Sequence, residues 1–120
     1  MELKLCDSER KVMEVLWEAD APLTAKEIAV RLGERVGWNK NTTYTIIKKC
    51  VEKGTIERRD PNFQCFPLIR REEAQAAAAA ELVDKVFDGS ASLLFASLLS
   101  GKQLSSEEIK RLRTMIDEME

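Results

Sequence analysis

A short stretch of this chain, Trp38 to Gly54, concentrates side chains that are able to contact nucleic acid. Projected at about 100° per residue, its polar residues fall on one side of a helix, namely Asn41, Thr42, Thr45, Lys48 and Lys49. The opposite side carries residues suited to a core, namely Ile46, Ile47, Cys50 and Val51. Amides and hydroxyls hydrogen-bond to base edges, and ammonium groups bind phosphates. The stretch therefore predicts a helix with one buried face and one face directed at DNA.

The polar residues of this region divide by the chemistry of their side chains. Asn41, Thr42 and Thr45 are candidates for contacts in the groove, and Asn41 suits either adenine or a phosphate near the helix N-terminus. The cations are candidates for phosphate contacts, namely Lys40, Lys48, Lys49, Arg58 and Arg59. Tyr44 lies at the edge between the two faces. We expect its ring in the core, and its hydroxyl is a candidate for a phosphate contact.

The charge of the chain is unevenly distributed. The whole chain has a formal net charge of -2, whereas residues 1–70 have a net charge of +2 and residues 71–120 a net charge of -4. Between Arg35 and Arg59 there are seven basic residues and only two acidic ones. A local excess of this kind is typical of a phosphate-binding surface. By charge alone, an ordinary solvated face is an equally good interpretation.

The elements around this stretch follow the order of a winged helix-turn-helix. A first helix is predicted from Asp7 to Ala19, and a second opens at the capping box Thr24-Ala25-Lys26-Glu27 and ends at Gly33. Asn39 is placed to cap the third helix, and Gly54 is placed to end it. This is a helix-turn-helix plan, with the third helix as the recognition helix.

A predicted hairpin follows the third helix directly. Thr55 to Arg59 and Phe63 to Pro67 have strand-like composition, and the turn signal Asp60-Pro61-Asn62 separates them. The hairpin is the expected wing, and it carries Arg58 and Arg59. The fold class expected from the whole chain is mostly α with a small β-hairpin, with residues 1–70 forming the winged helix.

The remaining residues, 71–120, are predicted to form a C-terminal arm of three helices, Arg71 to Phe87, Ala91 to Leu99 and Glu107 to Glu118. Helices with so few residues and so much apolar surface are too small to bury that surface by themselves. We expect a homodimer formed by this arm, although packing back onto the winged helix is an alternative. The expected dimer core consists of Leu82, Val86, Leu93, Leu94, Phe95, Leu98, Leu99, Ile109, Leu112 and Ile116.

Composition excludes several classes of function. The chain has no histidine and three scattered cysteines, so a metal site of usual spacing is not expected; the thiols of Cys6, Cys50 and Cys65 are expected to be reduced, in or near the core. It has no glycine-rich phosphate loop, so we expect neither an enzyme nor a cofactor. No run reaches the roughly 18 apolar residues of a membrane span, and the first residues lack the apolar segment of a signal peptide. A cytoplasmic location without membrane insertion is therefore expected.

Three segments resemble the penicillinase and methicillin-resistance repressors of the BlaI/MecI type. Val12 to Trp17 resembles the signature of their first helix, and Trp38 to Thr45 with Glu52-Lys53-Gly54 closely matches their recognition helix. Phe87 to Ser90 and the region of Leu112-Arg113 resemble their tail more loosely. The similarity covers nearly the whole chain.

The resemblance implies a winged-helix homodimer that binds a short palindromic operator in double-stranded DNA and blocks transcription of genes for β-lactam resistance or related stress. It further implies release by proteolysis, with a membrane sensor peptidase as partner. By position the cut falls near Ser97-Leu98, where members of the family have an Asn-Phe pair. A relative's copper trigger, which needs a C-terminal cysteine cluster, is excluded because no cysteine follows Cys65.

A second hypothesis from the sequence is that the winged helix is a protein-interaction module and the arm a scaffold, with no specific DNA binding. Charge reversal at Lys48 and Lys49 distinguishes the two. The local basic excess and the hydroxyl-rich outer face favour DNA binding.

Overall fold

The computed structural model of the chain describes residues 4–119. Its elements in chain order are α1 (Asp7–Glu18), β1 (Leu23–Thr24), α2 (Ala25–Val36), α3 (Lys40–Lys53), β2 (Ile56–Arg59), β3 (Gln64–Pro67), α4 (Arg71–Val86), α5 (Ala91–Ser100) and α6 (Ser106–Glu118). This order confirms the expected fold class of a mostly α chain with a small β-hairpin.

The β-strands form one antiparallel sheet in the order β1-β3-β2. Strands β2 and β3 are the predicted hairpin, with Arg58 opposite Cys65 and Arg59 opposite Gln64. The two-residue strand β1 adds to the other edge of β3, where Leu23 pairs with Cys65. Strand β1 was not expected, because two residues carry no alternating pattern from which a strand can be predicted.

The core of the winged helix lies between α1, α2, α3 and the sheet. Each helix contributes the apolar stripe that its sequence predicts. The largest fully buried apolar side chains are Met13, Leu16, Ile28, Leu32, Ile47, Ile56, Val12 and Val15. Two cysteines, Cys50 from α3 and Cys65 from β3, are also completely buried there. The core therefore fixes which face of α3 remains outside.

The prediction that α2 ends at Gly33 is wrong. Gly33 lies inside the helix, which continues to Val36 and is capped by Gly37 in the left-handed conformation at φ 75°. The Gly37 N–H donates to the Gly33 carbonyl oxygen over 3.1 Å. A glycine inside a helix lowers the stability by only about 1 kcal/mol, so Gly33 does not end α2. The chain reversal after the helix needs a residue with positive φ, and Gly37 supplies it.

The chain forms two compact units, and the boundary between them lies in α4, between Ala78 and Ala79. The first unit contains the winged helix and the beginning of α4. The second contains the end of α4 with α5 and α6, and none of its described residues, 79–119, is buried. Within residues 4–119, no helix is both long and apolar enough to cross a membrane.

Candidate nucleic-acid interface

Helix α3 begins and ends where the sequence predicts. The Asn39 side-chain oxygen accepts the Thr42 backbone N–H over 2.8 Å, which satisfies one of the unpaired donors of the first turn. At the other end Gly54 adopts φ 84° and donates to the carbonyl oxygens of Cys50 and Val51. Both caps are confirmed, and they fix the length of the helix.

The two faces of α3 are separated as the periodicity predicts. Ile47 and Cys50 are completely buried, and Ile46 and Val51 are partly buried. The opposite face is exposed along its whole length, namely Lys40, Asn41, Thr42, Thr45, Lys48 and Lys49. An exposed row of amide, hydroxyl and ammonium groups on one helix is the arrangement that fits a major groove.

The two hydroxyls of this helix that are hydrogen-bonded have different roles. Thr45 Oγ1 donates to the Asn41 carbonyl oxygen over 2.9 Å, so in the isolated protein its proton is engaged and its oxygen remains an acceptor. Thr43 is buried, and its hydroxyl donates to the Asn39 carbonyl oxygen over 3.4 Å. Thr43 therefore belongs to the core and not to the exposed face.

The lysines of the outer face differ in their surroundings. Among the described residues 4–119, no acidic side chain forms an ion pair with Lys48 or Lys49. The Lys40 ammonium lies 5.5 Å from the centre of the Tyr44 ring, a cation–π distance. Glu52, one turn after Lys48, is exposed on the same face. On the exposed face of α3 the positive charge is therefore concentrated before the last turn.

The wing arginines lie on opposite faces of the hairpin, because successive side chains of a strand alternate. Arg58 is paired with Cys65 and shares a face with buried Ile56. Arg59 is paired with Gln64 and lies on the other face. Both arginines are predicted phosphate ligands from the sequence, and the register places them on opposite faces of the hairpin.

Each wing arginine has an aromatic neighbour and an acidic neighbour. Arg58 lies 3.7 Å from the centre of the Phe63 ring and 3.2 Å from an Asp60 carboxylate oxygen. Arg59 lies 4.0 Å from the centre of the Phe66 ring and 2.5 Å from a Glu57 oxygen.

The hydrogen bond from Arg59 lowers the pKa of Glu57 and raises that of Arg59. Asp60 and Glu57 each accept from the Nε of the neighbouring arginine. A guanidinium has five N–H donors, so a phosphate oxygen can bind the terminal nitrogens without displacing the carboxylate.

Phe63 is a residue of this site that the sequence analysis missed. Its ring meets the Tyr44 ring of α3 edge to face, with centroids 6.0 Å apart and an interplanar angle of 84°. This contact joins the hairpin to the recognition helix. The sequence contains little indication of this contact, because an aromatic residue after a turn is equally typical of an ordinary strand.

A partly buried ion pair holds the C-terminal end of α3 against α1. Glu9 is 3% exposed and lies 2.8 Å from the Lys53 ammonium, which is 31% exposed. The Cys6 backbone N–H donates to the same carboxylate over 3.0 Å. Burial raises the pKa of Glu9, but the hydrogen bonds from Lys53 and Cys6 outweigh it, so the pKa lies below its ordinary value. The ion pair therefore helps to fix α3 in the fold.

Cys50 and Cys65 are buried, as expected, whereas Cys6 is exposed, so the expectation that it lies in or near the core is wrong. Burial raises the pKa of both Cys50 and Cys65 to about 11. Both are protonated at neutral pH and poorly reactive. Within residues 4–119, no group of acidic residues and cysteines is suited to hold a metal ion.

The residues expected in the dimer core all lie on α4, α5 and α6 of the second unit. The exposed ones are Leu82, Val86, Leu93, Phe95, Leu99 and Ile116. The partly buried ones are Leu94, Leu98, Ile109 and Leu112. Ser97 is exposed and Leu98 partly buried, and both are inside α5. None of these side chains finds a complete apolar environment within one chain.

The cap of α3 gives a first prediction. Asn39→Ala is expected to lower the free energy of unfolding by about 1 kcal/mol, because the Thr42 N–H loses its acceptor. Asn39→Asp keeps an acceptor and should keep the stability, but it adds a negative charge beside the proposed DNA surface and should weaken DNA binding. Urea unfolding and fluorescence anisotropy with labelled DNA measure the two effects. Equal stability of Asn39→Ala and the unmodified protein would contradict the capping role.

Three helices, a small antiparallel sheet and an exposed polar face on the third helix define the winged helix-turn-helix class of DNA-binding proteins. The family model described as Penicillinase repressor matches residues 5–118. The chain belongs to the penicillinase repressor family.

The chain is similar to relatives over nearly its whole length. It is 24% identical over 116 residues to the methicillin resistance regulatory protein MecI of Staphylococcus aureus (strain N315), covering 95% of this chain and 94% of the relative. It is 22% identical over 117 residues to the penicillinase repressor of Bacillus licheniformis, covering 96% and 91%.

The solution structure of the DNA-binding domain of the repressor BlaI is similar to part of this chain. The TM-score is 0.53 at 22% identity, over 57% of this chain and 85% of that domain. This similarity confirms the winged-helix fold. The family is one of transcriptional repressors, so membership also confirms the expectation that the chain is not an enzyme.

Proposed function

We propose that the chain is a homodimeric transcriptional repressor that binds a palindromic operator in double-stranded DNA. Each protomer inserts α3 into a major groove, with the groove contacts made by Asn41, Thr42 and Thr45. The basic residues of α3 and the wing bind phosphates, namely Lys40, Lys48, Lys49, Arg58 and Arg59. The Tyr44 hydroxyl binds a further phosphate. The observation that carries the proposal is the exposed polar face of α3 on a winged helix of a repressor family, with Lys48 and Lys49 in no ion pair among residues 4–119.

The dimer is supported by the apolar surface of the second unit. Leu93 of the apolar helix α5 is 50% exposed, and Ile116 of the amphipathic helix α6 is 57% exposed. Apolar side chains of such helices are normally buried. Exposed apolar side chains clustered on small helices favour association with another copy of the same surface. A two-fold dimer would place the α3 helices at half-sites about 34–36 Å apart, or a multiple of this distance. A single α3 contacts only a few base pairs, so selectivity depends on two helices held in register.

The target genes and the release step belong to the same proposal. The names of the relatives support resistance genes as the targets. Release follows cleavage between Ser97 and Leu98 by a membrane sensor peptidase. Both residues have helical conformation in α5, and a protease requires an extended substrate, so α5 must unfold locally before the cut.

DNA binding is tested by titrating the full chain against labelled DNA from upstream of its own gene. We expect a specific complex whose affinity falls as the salt concentration rises, and a shuffled sequence of equal length should bind much more weakly. Binding that is equally strong for both DNAs, or absent, would reject the operator and favour the protein-interaction module.

The dimer gives a second prediction. Leu93→Glu together with Ile116→Glu is expected to raise the dimer dissociation constant at least about 100-fold, because charges without partners would be buried in the interface. Sedimentation equilibrium measures this constant. Ser92→Glu with Thr114→Glu is the matched control, since both positions are exposed and polar on the same helices. A monomeric unmodified protein, or equal effects of the two pairs, would refute the proposed interface.

A further inference from the structure

Phe63, which follows the turn of the wing, contacts three different elements of the fold. Its ring lies under the Arg58 guanidinium at 3.7 Å and meets the Tyr44 ring of α3 edge to face at 6.0 Å. Its carbonyl oxygen accepts the Ala25 backbone N–H over 2.9 Å. The residue is therefore in contact with the wing, the recognition helix and the beginning of α2.

The backbone at this position is unusual for a bulky residue. Phe63 has φ 49°, and Asn62 before it has φ 75°. Asparagine adopts the left-handed region readily, whereas an aromatic residue rarely does. A side chain that persists in this region is held there by its surroundings. The Phe63 contacts with Ala25, Tyr44 and Arg58 are the interactions that hold it.

These contacts form a row of two cations and two rings. The Lys40 ammonium lies over the Tyr44 ring at 5.5 Å, and the Arg58 guanidinium lies over the Phe63 ring. The row begins on the first turn of α3 and ends on the wing. The position of Arg58 relative to Lys40 is thus set by the contact between the two rings.

Phe66, on the same hairpin, differs from Phe63 in its contacts. Its ring also stacks on an arginine, Arg59, at 4.0 Å. It lies on the opposite face of the hairpin, beside Glu57 in the register. Among the described residues, Phe66 has no ring contact with α3. The two phenylalanines support their arginines alike, and only Phe63 links its arginine to the recognition helix.

We propose that Phe63 is a positioning residue that holds the wing in register with α3, so that Arg58 and Lys40 engage DNA phosphates as one set. This inference rests on the proposed DNA-binding function. Phe63 acts through Arg58, whose guanidinium it holds beside the recognition helix.

The test is a double-mutant cycle read through the salt dependence of operator binding. Phe63→Leu is expected to reduce affinity about tenfold and to reduce the slope of log affinity against log salt by about one unit, the loss of one phosphate contact. Phe66→Leu should cause a clearly smaller loss of affinity and slope, because Arg59 loses its stacking ring but no contact with α3. In an Arg58→Ala background, Phe63→Leu should cause no further loss of slope, because the contact that it positions is already absent.

A purely structural role of Phe63 makes different predictions. Loss of folded protein lowers the active concentration and leaves the slope unchanged, and circular dichroism with thermal melting measures that loss. If Phe63→Leu does not fold, Tyr44→Leu removes the same ring contact from the α3 side without altering the turn. Tyr44→Leu should then reproduce the loss of slope relative to Tyr44→Phe, which keeps the ring.

Three outcomes would overturn the inference: an unchanged slope in Phe63→Leu, an equal loss in Phe66→Leu, or additive losses with Arg58→Ala. Each of these leaves the proposed repressor function standing. Absence of specific binding by the unmodified protein would instead reject the proposed function, and with it this inference.

Discussion

Replacing Lys48 and Lys49 together by glutamate is expected to reduce affinity for operator DNA at least about 100-fold, since it removes the two proposed phosphate contacts and adds repulsion. The salt slope should fall by about two units. Both side chains are exposed and, within residues 4–119, form no ion pair. The fold should therefore be unchanged by circular dichroism and melting temperature. Fluorescence anisotropy at several salt concentrations measures the affinity and the slope.

A matched control separates a local effect from the change in net charge. Arg10→Glu with Lys102→Glu changes the formal net charge by the same amount, at exposed positions outside α3 and the wing. We expect at most a few-fold loss of affinity, because neither side chain is among the proposed phosphate contacts. Equal losses in the two double variants would place the DNA-binding surface elsewhere. Normal DNA binding and normal repression by the Lys48 and Lys49 variant would refute the role of α3.

The second large effect is expected on stability. Glu9→Gln should lower the free energy of unfolding by about 2–3 kcal/mol, because it removes the charge of the largely buried carboxylate that pairs with the Lys53 ammonium. The loss of stability would be larger if both charges were completely buried. Lys53 is 31% exposed, so water replaces part of the lost interaction. Urea unfolding at neutral pH measures the change.

Glu18→Gln is the matched control for this prediction. Glu18 pairs with Arg35, and both side chains are more than 40% exposed. Exposed ion pairs contribute little to stability because water screens them, so the unfolding curve should hardly move. If both variants destabilise the protein equally, the burial of Glu9 does not strengthen its ion pair.

The same ion pair predicts a loss of stability in acid. Because the pKa of Glu9 is lower in the folded state than in the unfolded chain, its stabilising contribution is complete above the unfolded pKa. The contribution is lost as the pH falls through the lower folded pKa. Glu9→Gln should therefore differ most from the unmodified protein at neutral pH and least in acid. A constant difference at all pH values would contradict this assignment.

Most of the secondary structure was predictable because its signals are local. The capping box at Thr24, the cap at Asn39 and the left-handed glycine at Gly54 each act on residues within one turn. The periodicity of α3 separated the buried Ile47 and Cys50 from the exposed face for the same reason. The end of α2 was misplaced because two glycines, Gly33 and Gly37, were both suitable, and only the path of the following chain selects between them.

The candidate site was predictable only in part. The outer residues of α3 were found because one helix carries them all. The division of Arg58 and Arg59 between two faces depends on the pairing of β2 with β3. The role of Phe63 depends on a contact with Tyr44, which lies on a different element. Neither the strand pairing nor the contact between the two rings produces a periodic pattern in the sequence.

The helices, the hairpin, the polar face of α3 and the family therefore follow from residue type and short-range spacing. Which distant groups meet depends on the tertiary structure. Glu9 and Lys53 form an ion pair although 44 residues separate them, and Tyr44 and Phe63 join α3 to the wing. The physical reason is that such contacts are set by how the core packs whole elements together, and many pairings of the same elements satisfy the local pattern equally well.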